Sequence, residues 1–294
     1  MRRALGERFD LAGWRFVIPA SARRCASFVR NEVVENVVAA LVGKRGVPFH
    51  HSRHATTWKV PLIGPTGEST NIFIKQLDPA RGLVARVKAK SRAKRSEHVL
   101  RISEDLRRDK FGVPKVFLIG ENRESGREVI VMSPAPGFML TRWMNPSHRT
   151  GLALRRSILR KLGAEIARLH LAGYIHGDLT PYNIFAATNS EIAFTFIDHE
   201  GTEKTSRVSI NLARNQMRNL VQLGHFDLPG VSRTDKLRVF DSYGVTTGLS
   251  RSARRQSLLR LTKMIARRRA RDGGIKRGAA QTAIMAREGT AADG

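Results

Sequence analysis

The chain has 294 residues, 41% of them apolar and 26% charged, enough to build a substantial core and too apolar for wholesale disorder. Lys and Arg number 52 against 25 Asp and Glu, a formal net charge of +27 that predicts a polyanionic partner: nucleic acid, an anionic membrane face or a phosphorylated substrate. A single cysteine, Cys25, excludes an intrachain disulfide and a cysteine metal cluster.

The N-terminus mixes Arg2, Arg3, Glu7, Arg8 and Asp10 and has no apolar run of signal-peptide length; no stretch approaches the ~20 apolar residues of a membrane helix. The chain therefore reads as cytosolic. Residues 31–42 carry mixed signals for a short helix or strand ending at Gly43. From His54 to Ile63 and from Thr70 to Leu77, two β-type runs flank the turn Gly64-Pro65-Thr66-Gly67, which predicts a hairpin with Lys75 near the end of its second strand. Arg81 to Arg95 has seven Lys/Arg and no acid. A helix is expected over Ser96–Lys110, closed by Gly112 and Pro114, then a strand pair at Val116–Ile119 and Glu128–Met132.

Ser133-Pro134-Ala135-Pro136-Gly137 reads as a hinge. Beyond it, Leu154, Ile158, Leu162, Ile166 and Leu169 form one apolar stripe opposite Arg155, Arg156, Arg160 and Lys161, the clearest helix in the chain, over 152–172. Ile192 to Ile197 reads as a short strand, and from Arg207 the chain turns helical and basic. The expected organisation is α+β: a strand-rich N-terminal part over 1–132, the hinge over 133–137, a helical part over 138–272 and a loose Gly/Ala-rich tail over 273–294.

The loop behind the long helix reads His176-Gly177-Asp178-Leu179-Thr180-Pro181-Tyr182-Asn183, and Asp198 follows at the end of a strand. A carboxylate and an amide five residues apart, faced by a second carboxylate, suit phosphoryl transfer from ATP. That reaction needs a metal clamp on the phosphates and an acceptor hydroxyl held in line. Mg²⁺ prefers oxygen ligands, which Asn183 and Asp198 offer, leaving Asp178 to accept a proton. A core histidine, a turn-capping aspartate and a strand-end aspartate are each ordinary alone. Their combination is not.

This loop resembles the H-x-D-x-x-x-x-N catalytic loop of the protein-kinase-like superfamily, with Asp198 where that superfamily has its metal-binding Asp. The resemblance implies a bilobal fold, with a small β-rich N-lobe and a larger α-helical C-lobe. Ile72-Phe73-Ile74-Lys75 is similar to the V-A-I-K strand, which implies that Lys75 meets the ATP phosphates. Its helix partner would be Glu97, favoured by spacing, or Glu104 on the same helix face. No G-x-G-x-x-G precedes Lys75; the candidate phosphate covers are Gly43-Lys44-Arg45-Gly46 and His50 to His54. D-F-G is replaced by Asp198-His199-Glu200-Gly201, and Gly177 stands where regulated protein kinases often have Arg. With no A-P-E motif either, switching by phosphorylation is not expected.

Across about 53 to 245 the chain looks most like the lipopolysaccharide kinase family, the Kdo and heptose kinases of Gram-negative bacteria. The features are Ile74-Lys75 before a basic segment, Gly112-Val113-Pro114 after a helix, Arg218-Asn219-Leu220-Val221-Gln222-Leu223, and Ser232 to Tyr243, which is similar to a T-D-[RK]-x-R-F-x-x-x-Y stretch. Asn219 stands where the family often has Asp. The resemblance implies ATP- and Mg²⁺-dependent phosphorylation of a sugar hydroxyl on the lipopolysaccharide inner core, with Asp178 as base, Asn183 and Asp198 on the metal, and Lys75 with Glu97 on the ATP side.

Two rival readings are a small-molecule kinase of the aminoglycoside or choline type and a catalytically weak kinase-like scaffold for an anionic partner. The basic excess argues against the first, and the intact Lys75, Asp178, Asn183 and Asp198 set against the second. Arg251 to Arg271 has nine Lys/Arg and no acid beside an apolar stripe of Leu258, Leu261 and Ile265. It reads either as a solvated helix packed on the large lobe or as a contact with an anionic membrane. The expected partners are thus an anionic glycolipid or saccharide acceptor and the cytoplasmic face of an inner membrane. Aromatics, at 6%, are not interleaved with the basic runs, which argues against nucleic acid.

Overall fold

The computed structural model describes residues 6–41, 43, 47–51, 55–63, 69–79, 94–148, 150–205 and 212–271. The chain divides into two compact units, Met1–Ala135 and Pro136–Gly294. The fold class is α+β: an antiparallel sheet dominates the first unit and helices the second.

In the first unit, β1 (Gly6–Leu11), β2 (Trp14–Pro19), β3 (Val47–His51), β4 (Ala55–Ile63), β5 (Ser69–Leu77), β6 (Val116–Asn122) and β7 (Glu128–Met132) form one sheet in the order β1-β2-β6-β7-β5-β4-β3. Alternation gives the sheet two apolar faces. Ile72 and Ile74 pack on one side with Phe16, Ile18, Leu118 and Val131, and with Val34 and Val37 of α1 (Val34–Leu41). Leu77, Ile119 and Ile130 pack on the other with Val99 and Leu100 of α2 (Arg95–Arg108).

The hairpin read from sequence is β4–β5, paired from Ala55↔Leu77 to Ile63↔Ser69. The β1–β2 hairpin was not legible, and residues 34–41 resolve as helix rather than strand. His50 and His51, read as a candidate phosphate cover, belong to β3 and pair with Thr57 and Thr56. The rest of that candidate, residues 52–54, the candidate 44–46, the turn 64–67, the basic run from 81 to 93 and the tail 273–294 lie outside the described residues.

The second unit opens with β8 (Phe138–Met139) and α3 (Leu140–Met144), followed by the long helix α4 (Leu152–Leu171). The chain then runs through β9 (Tyr174–Ile175), β10 (Ile184–Ala187), β11 (Ala193–Phe196) and β12 (Glu203–Lys204) to α5 (Leu212–Gly224), α6 (Arg233–Thr246) and α7 (Arg251–Arg271). Helix α4 buries Ile158, Leu162, Ile166 and Leu169, the predicted stripe. Ser232 and Asp235 form a reciprocal capping box at the start of α6, and Asp235 also takes Arg155 of α4 at 3.2 Å. The Thr-Asp step of the family-like stretch thus starts one helix and ties it to another.

Candidate active site

The loop 176–183 is held between strands and helices of the second unit. Leu179 is fully buried below it, and Pro181 to Asn183 make a single tight turn that leads into β10. The Asn183 side-chain amide donates to both the backbone oxygen and Oδ2 of Asp178, each at 3.0 Å. This orients the Asp178 carboxylate, and it turns the nitrogen end of the Asn183 amide toward Asp178, leaving the oxygen end for a cation. The Asp178 and Asp198 carboxylates are both open to solvent.

Asp178 has its pKa raised by the partial burial of its surroundings and then by the nearby Asp198 carboxylate; the bond from Asn183, Arg268 and His225 pull the other way. A carboxylate raised in this manner is a stronger base than a free one. Asp198 adopts a left-handed backbone, φ +64°. For a residue other than glycine this conformation is strained by about 1–3 kcal/mol and recurs at functional positions. The structure therefore brings Asp178, Asn183 and Asp198 together. No group of three or more His, Cys, Asp or Glu suited to a metal occurs among the described residues. Asn183 and Asp198 supply oxygen donors of the kind that Mg²⁺ takes alongside nucleotide phosphates and water.

Gly177 sits at φ +79°, and a Cβ there would lie 2.1 Å from the Gly201 carbonyl oxygen. The absence of an Arg before Asp178 is thus a steric requirement of this loop. Where D-F-G has its aromatic ring, His199 is buried. Its ring bonds the Phe196 carbonyl at 2.9 Å and the Thr202 hydroxyl at 3.2 Å, and it packs 5.1 Å from the His176 ring. The Thr202 hydroxyl in turn donates to the His176 carbonyl at 2.9 Å.

The underside of the loop is fastened by two amides of α5. Asn219 Oδ1 accepts from the His176 N–H at 3.0 Å, and its Nδ2 donates to Gln222 Oε1 at 2.8 Å. Gln222 accepts from the Leu179 N–H at 3.3 Å and donates to the Gly177 carbonyl, so it grips the peptide groups on both sides of Asp178. His170 of α4 completes the network between Tyr243 Oη at 3.0 Å and Asn219 Oδ1 at 3.2 Å. Burial drives both His170 and His176 to a pKa of about 4, so both rings are neutral. Asn219, a neutral amide, suits that neutral surrounding.

Lys75 lies in the first unit, on β5, opposite Thr57 and Ile130. Ile130 packs with Val99 and Leu100 of α2, so Lys75 stands on the sheet face that carries this helix. The start of α2 is fixed by Glu128, whose carboxylate accepts from the Ser96 N–H at 2.8 Å and its hydroxyl at 2.6 Å. Glu97 pairs with Arg101 at 3.1 Å, and Glu104 accepts from Ser21 at 3.0 Å.

The sequence model of the lipopolysaccharide kinase (Kdo/WaaP) family matches residues 84–243, more than half of the chain, and spans α2, the catalytic loop, Asp198 and the α5 amides. The chain belongs to this family. Its phosphotransfer architecture is therefore that of a kinase, although Lys75 falls just ahead of the matched span. The chain is also 30% identical over 128 residues to the KEOPS complex subunit Bud32 of Pyrococcus abyssi, covering 42% of this chain and 55% of that protein. It thus spans about half the length of this curated relative.

Reading the sequence missed Gln222, His225 and Arg268 as site residues. Gln222 lay inside the quoted Arg218–Leu223 stretch. His225 and Arg268, which oppose the rise of the Asp178 pKa, carried no motif signal.

Proposed function

We propose that the protein is an ATP-dependent phosphotransferase acting on a sugar hydroxyl of the lipopolysaccharide inner core or a related lipid-linked saccharide. The observation that carries this reading is the trio Asp178, Asn183 and Asp198, oriented by the buried Asn219–Gln222 amides, within a lipopolysaccharide kinase family match. Asp178 accepts the proton of the acceptor hydroxyl as the new O–P bond forms and the bond between the β- and γ-phosphates breaks, releasing ADP. Asn183 and Asp198 are the residues that would hold Mg²⁺, which neutralises charge on the transferring phosphates. Lys75 takes the ATP phosphates, with Glu97 as its partner from α2. The Glu97–Arg101 pair is a surface contact of adjacent helix turns, weak enough to exchange.

The partner surface follows from charge. Arg255, Arg260, Lys263, Arg267 and Arg271 all lie on exposed positions of α7, with no acid on that helix. Each such residue near an anionic bilayer contributes about 1 kcal/mol, so α7 supports peripheral attachment to the cytoplasmic face of the inner membrane. No described helix is long and apolar enough to cross a membrane.

The test is incubation with Mg-ATP and defined core saccharides, read by mass for one added phosphate. Product should form and should fall by about 10²- to 10⁴-fold in Asp178→Ala. Turnover on aminoglycosides alone would replace this reading with the small-molecule kinase. Failure to bind nucleotide at all would replace it with a scaffold.

A further inference from the structure

The start of α2 lacks the residue that usually begins a helix. Lys94 occupies the cap position, and its side chain has no acceptor to offer the free N–H groups of the first turn. Glu97 stands three residues on, where a glutamate often reaches back to the cap; here it pairs forward with Arg101 instead. The missing acceptor comes from 32 residues away. Glu128 of β7 accepts from the Ser96 N–H at 2.8 Å and from its hydroxyl at 2.6 Å, and Arg95 approaches its other carboxylate oxygen at 4.0 Å. Ser96 is 2% exposed and the Glu128 side chain 13%. A carboxylate so far withdrawn from water is held by these donors and by the positive end of the helix.

The same strand sets the register of Lys75. Glu128 lies opposite Leu77 of β5, and Ile130, two residues on, lies opposite Lys75. All four stand on the sheet face that carries α2, where Leu77 and Ile130 pack with Val99 and Leu100. Apolar contact alone would let α2 slide or turn on the sheet, because it has no direction. The Glu128–Ser96 bonds remove that freedom at the turn that carries Glu97. Across the β6–β7 ladder Glu128 also faces Glu121, and like charges so placed repel. Lys94 pairs with Glu121 while Arg95 faces Glu128, so the basic start of α2 answers both carboxylates at once. Arg95 also bonds the Asp78 carbonyl just past β5, which ties the helix start to that strand as well.

We propose that Glu128 is a positioning residue: by capping α2 from β7 it sets Glu97 in register with Lys75. It acts through Glu97 rather than on ATP itself. This rests on the kinase reading above and adds to it the group that fixes the ATP-side pair from within the chain.

Two readouts on the full chain separate the claims. One is MgATP affinity by calorimetry; the other is the rate at which an acylating reagent labels the Lys75 amine, which falls when a carboxylate holds the ammonium. Glu97→Ala should weaken MgATP binding by about tenfold, the loss of one charge-assisted contact, and should speed Lys75 labelling. Glu128→Ala should reproduce both effects, and adding it to Glu97→Ala should change neither further. Glu128→Gln removes the charge but keeps an oxygen for Ser96, and should restore most of both. Where Glu128→Ala does not fold, Ser96→Ala takes its place in the cycle, losing the hydroxyl bond and keeping the N–H. Additive losses in the double variant, wild-type behaviour of Glu128→Ala, or a Glu128→Gln protein as impaired as the alanine variant would each overturn the proposal. Coupled labelling in a chain that binds no MgATP would uphold the positioning role and overturn the kinase reading. MgATP binding indifferent to both Glu97 and Glu128 would do the reverse.

Discussion

In the strand-rich unit the buried side chains are nearly all hydrocarbon. Phe16, Ile18, Ile72, Ile74 and Leu118 on one face of the sheet and Leu77, Leu100 and Ile130 on the other are all at most 1% exposed, and the few buried polar groups include Asn36, Ser96 and Ser103. The helical unit buries a different material around its catalytic loop: His170, His176, His199, Thr202, Asn219 and Gln222 are each at most 4% exposed. Apolar packing is non-directional, so it supplies stability and tolerates small shifts. A buried hydrogen-bonded network has few satisfied arrangements, so it supplies one geometry and penalises departures from it. On the proposed reading, the first unit presents Lys75 on a firm sheet. On the same reading, the second holds Asp178, Asn183 and Asp198 to within fractions of an ångström.

Cutting the apolar side of this comparison should give the largest change in stability from a single substitution. Ile74→Ala empties a fully buried position between the sheet and α1 and should cost about 2–5 kcal/mol. Amide hydrogen exchange should show the loss spread along β4, β5 and β7, since no directional contact localises it. A loss confined to β5 would mean that the sheet is not the cooperative element its core suggests.

Acid should act on the polar side. His170 and His176 have pKa values of about 4, below the ordinary 6.5, so between those values the unfolded chain binds more protons than the folded one. Their contribution is complete above pH 6.5 and is lost as pH falls toward 4, by roughly 3 kcal/mol for each ring. Exchange protection at 176–180 and along α5 should therefore fall between pH 7 and 4.5, after correction for intrinsic rates. Protection independent of pH in this window would contradict a neutral network.

The sequence carried unequal amounts of each side. Helix α4 was legible because Leu154 to Leu169 repeat at helical spacing, and the β4–β5 hairpin because branched residues flank a Pro/Gly turn. The β1–β2 hairpin was not. It turns on Ala12 and Gly13, both at positive φ, and Ala gives no turn signal, while β1 carries Glu7, Arg8 and Asp10 and has no fully buried residue. Strand β3 was hidden because its histidines read as a phosphate-binding surface. At the site, Asp178, Asn183 and Asp198 are fixed by local spacing and stood out as a motif. Asn219 and Gln222 meet the loop across 43 residues of chain, and neither a neutral amide nor its partner signals such a contact in advance. Hence the candidate reacting groups were legible and most of their supports were not.

Asn219 separates geometry from charge within those supports, with the smallest expected cost. Asn219→Ala removes the acceptor for the His176 N–H and for the His170 ring and should destabilise by about 1–3 kcal/mol, with kcat falling more than KM for ATP as the loop loosens. Asn219→Asp keeps both acceptors but loses the donor toward Gln222 and places a charge at a position 1% exposed. Among the described residues, the ring placed to answer that charge is His170, already 3.2 Å from Oδ1. Its pKa should rise by roughly 1–3 pH units toward the ordinary value, as for an ionisable group given an opposite charge at contact. Ring resonances of His170 followed by NMR across pH 3–8 would show this directly. The acid-induced loss of protection should then shrink by the share that His170 supplied, leaving that of His176. A His170 titration unmoved in Asn219→Asp would mean that the aspartate is itself protonated there, and that the neutral state of this network is imposed by burial rather than by the choice of asparagine.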